Sequence, residues 1–204
     1  MTAVADISSW AHCLPPVADS AKPNCVDSDL ADRRASLDGD GDAYRRIVER
    51  HQDHVGAIMW RFTRDRDEHA ELVHDVFVDA FLSLAKFRGE APLQHWLARI
   101  ATRVGYKLWR KNAKTRKQVT LAEWQEVGER PSEFSPGEAA ELVHRLLGML
   151  APRDRLVMTM RFVDERSVEE TAALTGWSET MVKVQTWRAR AKLKGLLAKL
   201  EGKS

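Results

Sequence analysis

Each sustained apolar run in this chain recurs at three- and four-residue spacing and none alternates every second residue, so its cores must be built from helices. Tyr44, Ile47, Val48, Val55, Ile58, Met59 and Phe62 form a first stripe, and Leu72, Val73, Val76, Phe77, Ala80, Phe81 and Leu84 a second. Gly89 and Pro92 punctuate a loop over Phe87–Pro92, after which Trp96, Leu97, Ile100, Ala101, Val104 and Leu108 mark a third helix. Three such helices can enclose one core. The period then lapses between Gln118 and Gly137, where Gly128, Pro131, Ser132, Ser135 and Pro136 sit among acids, as a flexible linker requires. It resumes with Leu142, Val143, Leu146, Leu147 and Leu150, and Pro152 then suits the first turn of a helix carrying Leu156, Val157, Met160 and Phe162. The expected fold is all-α: two small helical domains, a three- or four-helix bundle over 42–117 and a second domain over 138–204, joined by the linker 118–137. Residues 1–41, with Pro15, Pro16 and Pro23 among Ser, Asp and Ala, read as an extension without fixed structure.

The second domain ends in a recognisable local grammar. Ser167 is placed to cap a short helix, with Glu170 three residues on completing a capping box. Thr175-Gly176-Trp177 makes a tight turn, and Ser178 caps a last helix bearing Met181, Val182, Val184, Trp187, Ala191 and Leu193. This is the logic of a helix-turn-helix. Small Ala172 lets the two helices approach, Val182 holds the second on the first, and Lys183, Arg188 and Arg190 remain free for phosphates and base edges.

A formal net charge of +2 hides an alternation along the chain. Residues 1–42 carry eight acids against three bases, 43–119 sixteen bases against nine acids, 120–139 five acids against one base, and 140–204 twelve bases against eight acids. Two basic blocks separated by an acidic linker are the footprint of two polyanion-binding modules. Between Arg99 and Lys117 stand eight bases and no acid, with Trp109 among them, a combination that attracts phosphates and offers a plane for unpaired bases.

Two blocks of motifs in fixed order resemble the extracytoplasmic-function group of sigma-70 factors. The first comprises Asp42-Ala43-Tyr44, Glu71-Leu72-Val73-His74-Asp75-Val76-Phe77, Phe87-Arg88-Gly89 and Trp96-Leu97-Ala98-Arg99-Ile100-Ala101, and is similar to sigma region 2. The second runs from Leu150-Ala151-Pro152-Arg153-Asp154-Arg155 through Ser167–Ala172, Gly176 and Ser178 to Met181–Arg190, and is similar to region 4. The resemblance covers roughly 42–117 and 138–200, and implies a non-enzymatic protein that carries core RNA polymerase to promoters and helps melt them. It implies docking on the clamp of the large catalytic subunit through Glu71, Leu72, His74, Asp75, Val78 and Asp79, and on the flap of the second large subunit. Binding of the minus-ten element and capture of a flipped base fall to the Phe87–Pro92 loop and third helix, with Arg88, Arg99, Arg103, Lys107, Trp109, Arg110 and Lys111. Reading of the minus-thirty-five element falls to Lys183, Val184, Trp187, Arg188 and Arg190. An anti-sigma protein is the further partner implied. Two departures stand out: Val184-Gln185 where the family usually has Ser-Arg, and Arg103 where it often has Asn.

Other classes of function lack a site. There is no Gly-rich phosphate loop and no nucleophile elbow, so neither catalysis nor a cofactor is expected. Asp38, Asp40, Asp42 and Glu49 match the spacing of a calcium loop, but Ala43 stands where the turn needs Gly, and helix capping is the better reading. His12, Cys13 and Cys25, with His51 and His54, fit no standard zinc spacing. No run approaches the roughly 20 apolar residues of a membrane helix, and two cysteines make no disulfide framework, so a cytoplasmic location without membrane insertion is expected.

Overall fold

The computed structural model describes residues 23–115 and 136–201, and every regular element among them is helical. The chain divides into two units, Val17–Leu108 and the stretch from Trp109 onward together with Met1–Pro16, which lies outside the described residues. The expected linker 118–137 also falls almost wholly outside them.

In the first unit α1 spans Pro23–Leu37, α2 Gly41–Met59, α3 Arg66–Ser83 with a 3-10 turn at Leu84–Lys86, and α4 Leu93–Thr115, running on into the second unit. Asp40 caps α2, its carboxylate accepting from the Asp42 and Ala43 amides at 2.9 and 3.2 Å. Asp65 caps α3 in the same way, accepting from Asp67 and Glu68 at 2.9 and 2.8 Å. The acid that suggested calcium is therefore a cap. Ala43, Ile47, Val55 and Met59 of α2, Leu72, Val76, Phe77 and Ala80 of α3, and Leu93, Leu97, Ile100 and Ala101 of α4 are buried, and α2 packs along α3. Burial of each large aliphatic chain contributes about 1.5–3 kcal/mol. Gly105 fixes how closely α4 approaches: a Cβ there would lie 2.2 Å from the Phe62 ring, so only glycine admits that ring.

One expectation fails here. Residues 23–37 of the supposed unstructured extension form α1, and the cause is polar. Asp29, Asp32 and Ser36, spaced by three and four, form its buried stripe. Asp29 meets Arg50 at 2.9 Å and His51 at 3.0 Å, while Asp32 meets both Arg46 and Arg50 at 2.7 Å. An apolar periodicity cannot show a helix docked by carboxylates. The side chains of Cys13 and Cys25 lie outside the described residues.

In the second unit α5 spans Pro136–Gly148, α6 Pro152–Met158 with a π-helical turn at Thr159–Val163, α7 Val168–Thr175 and α8 Glu179–Glu201. Pro152 opens α6 as its missing N–H permits. The Ser167–Glu170 capping box is present in both directions, at 3.0 and 2.6 Å. Hydrogen bonding to the Ser167 amide, against some burial, holds the Glu170 carboxyl below its ordinary range. Gly176 ends α7 in the left-handed conformation at φ 74°, and Ser178 caps α8 by accepting from Met181 at 3.2 Å. Leu147, Leu150, Val157, Met158, Val182, Ala189 and Leu193 form the core, with Ala172 and Trp177 packed against it.

Candidate nucleic-acid and protein interfaces

Because Val182, Ala189 and Leu193 hold α8 against its own unit, the opposite face is presented to solvent. Lys183, Val184, Trp187, Arg188 and Arg190 are all exposed, and Trp187 at 73% is an unusual display for an indole. Lys183 is loosely paired with Glu179 at 3.6 Å, an exposed contact worth little. The Arg190 guanidinium lies 5.5 Å from the Phe162 ring centre, at the margin of the displayed face. Gln185 belongs to a different face. It is half-buried and donates to Asp154, so of the Val184-Gln185 departure from the family pattern only Val184 reaches the displayed surface.

On α4 the bases Arg99, Arg103, Lys107, Arg110 and Lys111 are exposed along one stripe. Arg103 is tethered to Asp79 of α3 at 3.5 Å. Trp109 departs from expectation: it is only 4% exposed, and the Arg155 guanidinium sits 4.0 Å over its ring within the second unit. No face of that indole is open to an unpaired base in this structure, because a cation already covers it.

The 87–92 loop has a buried root and a displayed tip. Phe87 is buried with its ring centre 5.3 Å from that of Trp96, whereas Arg88 is exposed and 3.8 Å from Glu90. Gly89 takes φ 77°, and a Cβ there would lie 2.9 Å from Leu30 of α1. Arg33 of α1 donates to the Leu84 and Ala85 carbonyls at 3.3 Å, satisfying the end of α3 just before the loop.

On α3, Glu71, His74, Asp75 and Val78 are exposed and Asp79 half-exposed, as a docking face requires. Leu72 does not belong with them. It is buried in the core, about 100° around the helix from Glu71, and cannot contact a partner as the unit stands. Phe81, assigned to the core stripe by spacing, is 52% exposed, and Leu82 beside it is 75% exposed. Tyr44 covers one side of Phe81: its ring packs edge-on at 4.9 Å, and its hydroxyl donates to the Phe77 carbonyl at 2.5 Å. Burial pushes that phenol up to about 12. The spacing Val78, Phe81, Leu82 was itself the signal for an apolar edge beside the acids. Large apolar chains clustered in the open mark an interaction site.

Among the described residues no cluster of His, Cys, Asp or Glu is arranged to hold a metal, and no helix is long and apolar enough to cross a membrane. His51 is taken by Asp29, and His54 hydrogen-bonds Gln94 at 3.1 Å.

A helix-turn-helix with a basic, aromatic-tipped outer helix, following a helical unit whose last helix is polybasic, defines a two-module DNA-binding protein of transcription. Family models match both modules in order: sigma-70 region 2 over residues 47–115 and sigma-70, region 4 over residues 140–193. The chain belongs to the sigma-70 family, in its extracytoplasmic-function group. Among its relatives, the RNA polymerase sigma factor YlaC of Bacillus subtilis is 26% identical over 162 residues, covering 78% of this chain and 94% of that protein. The ECF RNA polymerase sigma-E factor of Escherichia coli K12 is 28% identical over 163 residues, covering 74% and 85%. The solved structure of CnrH in complex with the cytosolic domain of CnrY aligns with TM-score 0.54 at 26% identity, covering 84% of this chain and 98% of that one. The sigma factor RpoE of Bartonella quintana, solved with the anti-sigma factor NepR, shares the fold at TM-score 0.51 and 20% identity.

Proposed function

We propose that this chain acts in the cytoplasm as a non-enzymatic initiation factor: it binds core RNA polymerase, recognises promoters through two separated elements, melts the DNA and leaves all chemistry to the polymerase. The carrying observation is the pair of family models in their proper order, each falling on a module with an exposed basic helix. The outer face of α3, with Glu71, His74, Asp75, Val78 and Asp79 and the apolar edge of Phe81 and Leu82, docks on the clamp of the large catalytic subunit. Arg88 and the α4 stripe bind the minus-ten region, where phosphate contacts from Arg99, Arg103, Lys107, Arg110 and Lys111 hold the strands as they part. Lys183, Val184, Trp187 and Arg188 of α8 read the minus-thirty-five element, cations on base acceptors and apolar groups on thymine methyls. Arg103, where the family often has Asn, adds a phosphate contact. An anti-sigma protein covers the exposed apolar edge of α3 when the factor is idle; that a structural neighbour, CnrH, is solved in complex with the cytosolic domain of CnrY supports a protein partner of this kind.

Run-off transcription with purified core polymerase on a panel of genomic fragments tests the reading. Promoter-specific transcripts are expected. Their absence together with absent core binding, or tight operator binding by the chain alone, would overturn it. Asp75→Arg should lower core affinity at least tenfold, a loss of about 1.4 kcal/mol, because it reverses a charge at the docking face. Unchanged affinity would remove α3 as the docking surface.

A further inference from the structure

The Asp154 carboxylate, near the start of α6, is almost wholly buried, the residue being 1% exposed. Both of its oxygens are taken by α8. Gln185 donates its amide to Oδ1 at 2.5 Å, and Lys192 donates Nζ to Oδ2 at 2.6 Å. A neutral donor and one cation thus satisfy the buried anion, which alone would be costly.

Gln185 and Lys192 are seven residues apart, so about 100° per residue brings them within roughly 20° of each other around α8. The apolar stripe of Val182, Ala189 and Leu193 lies roughly 70° to one side of this pair, and the centre of Lys183, Val184, Trp187 and Arg188 roughly 120° to the other. The apolar stripe holds the helix down by close packing, and the hydrophobic effect that drives it carries no direction of its own, so the polar contacts add the directional restraint on rotation about the helix axis. Two hydrogen bonds to one fixed carboxylate are directional, and they grip α8 at two levels one heptad apart.

We infer that Asp154, acting through Gln185 and Lys192, sets the rotation of α8 and thereby which base edges Lys183, Val184, Trp187 and Arg188 meet. Gln185 and Lys192 are positioning residues that govern promoter specificity without touching a base. Indirect control of this kind is effective because a reading side chain must arrive within a fraction of an ångström of its base. The inference rests on the proposed reading of the minus-thirty-five element by α8.

The test uses holoenzyme assembled from the full chain and core polymerase, with binding sites selected from a library randomised over the minus-thirty-five element. Gln185→Leu is expected to lower discrimination between the best site and its single mismatches by roughly fivefold or more. Because it changes no charge, its salt dependence of binding should stay that of the parent. Lys192→Met should flatten the same profile, and Lys192→Arg, which can still reach the carboxylate, should restore it. If Lys192→Met does not fold, Gln185→Leu, which keeps the Lys192 ion pair, still decides the matter. A folded Gln185→Leu protein with lower thermal stability and an unchanged base profile would overturn the positioning role. Trp187→Ala separates the two readings: if it too leaves the profile unchanged, the assignment of α8 to the minus-thirty-five element has failed, not merely the pin.

Discussion

Asp29, Asp32 and Ser36 in the first unit and Val182, Ala189 and Leu193 in the second serve the same purpose: each set is the stripe by which a helix docks on its neighbours. The chemistry is opposite. The first stripe ends in carboxylates paired with Arg46, Arg50 and His51, whereas the second is apolar and has one ionic clasp, Asp154, at its side. An apolar stripe loses contact gradually, methyl by methyl. A carboxylate stripe depends on a few partners, and removing one leaves others buried without compensation. Among the described elements α1 is therefore the one most open to release by a single substitution, and it also touches the chain just before the 87–92 loop through Arg33 and the loop's Gly89 through Leu30.

The largest effect expected from this contrast is that of Asp29→Ala. It removes the partner of buried His51 and one of two partners of Arg50. A loss of about 2–3 kcal/mol in the docking of α1 is expected, at or below the low end for a broken buried pair because Arg50 keeps Asp32 and reaches solvent. Amide hydrogen exchange should show protection lost over residues 27–37 and unchanged over 152–193. Unaltered exchange in α1 would mean that the ion pairs do not hold it, and the comparison would break.

The same contrast explains what could be read from the chain beforehand. The stripes of α2, of α4 and of the second unit follow from 3.6-residue spacing, and the caps at Ser167, Glu170, Gly176 and Ser178 follow from side-chain chemistry alone. Those signals placed the helix-turn-helix and the exposed face of α8 correctly. α1 was hidden because its docking residues are those that composition assigns to solvated, unstructured chain. Leu72, given both to the core stripe and to the docking face, is buried, and Phe81, given to the core stripe, is exposed, for a related reason. The two lie at opposite edges of the apolar stripe of α3, about 180° apart around the helix, and tertiary packing, here Tyr44 against Phe81, decides how far each edge is covered. Trp109 belonged by sequence to a basic helix and by structure to a cation–π pair, a contact that local pattern cannot reveal.

A smaller effect is expected from acid. Burial opposes ionisation of Asp32, but hydrogen bonds and charges of Arg46 and Arg50 outweigh it and hold the carboxyl below its ordinary range. A depressed carboxyl stabilises the fold fully above its unfolded value of about 3.9 and loses that contribution as pH falls through the folded one. Exchange protection of α1 should therefore be level from neutral pH to about 4 and fall below it. Glu170 has the same sign, but its protonation removes only a cap, so α7 should fray where α1 undocks. A fall of α1 protection beginning well above about pH 4 would mean that Asp32 does not set the acid limit of this docking, and would redraw the ionic stripe.

The smallest effect sharpens the comparison from the other side, since the second unit carries a local cost that its apolar docking absorbs. Glu165 sits at φ 52° between the π-helical turn and the capping box, the only non-glycine residue with positive φ among those described. An L-residue there costs about 1–2 kcal/mol, while glycine gives back about 0.5–1 kcal/mol through unfolded-state entropy. Glu165→Gly should consequently stabilise the second unit by about 0.5–1 kcal/mol, raising its thermal midpoint by roughly 2–8 °C. Glu165→Ala keeps the backbone cost while removing the same charge, so it should give no gain. Equal gains from both would assign the effect to the carboxylate rather than to the backbone. A gain confined to glycine would show that the apolar core fixes the approach to α7 firmly enough to hold a strained residue in place, which a unit clasped by ion pairs alone would relax by letting its helix go.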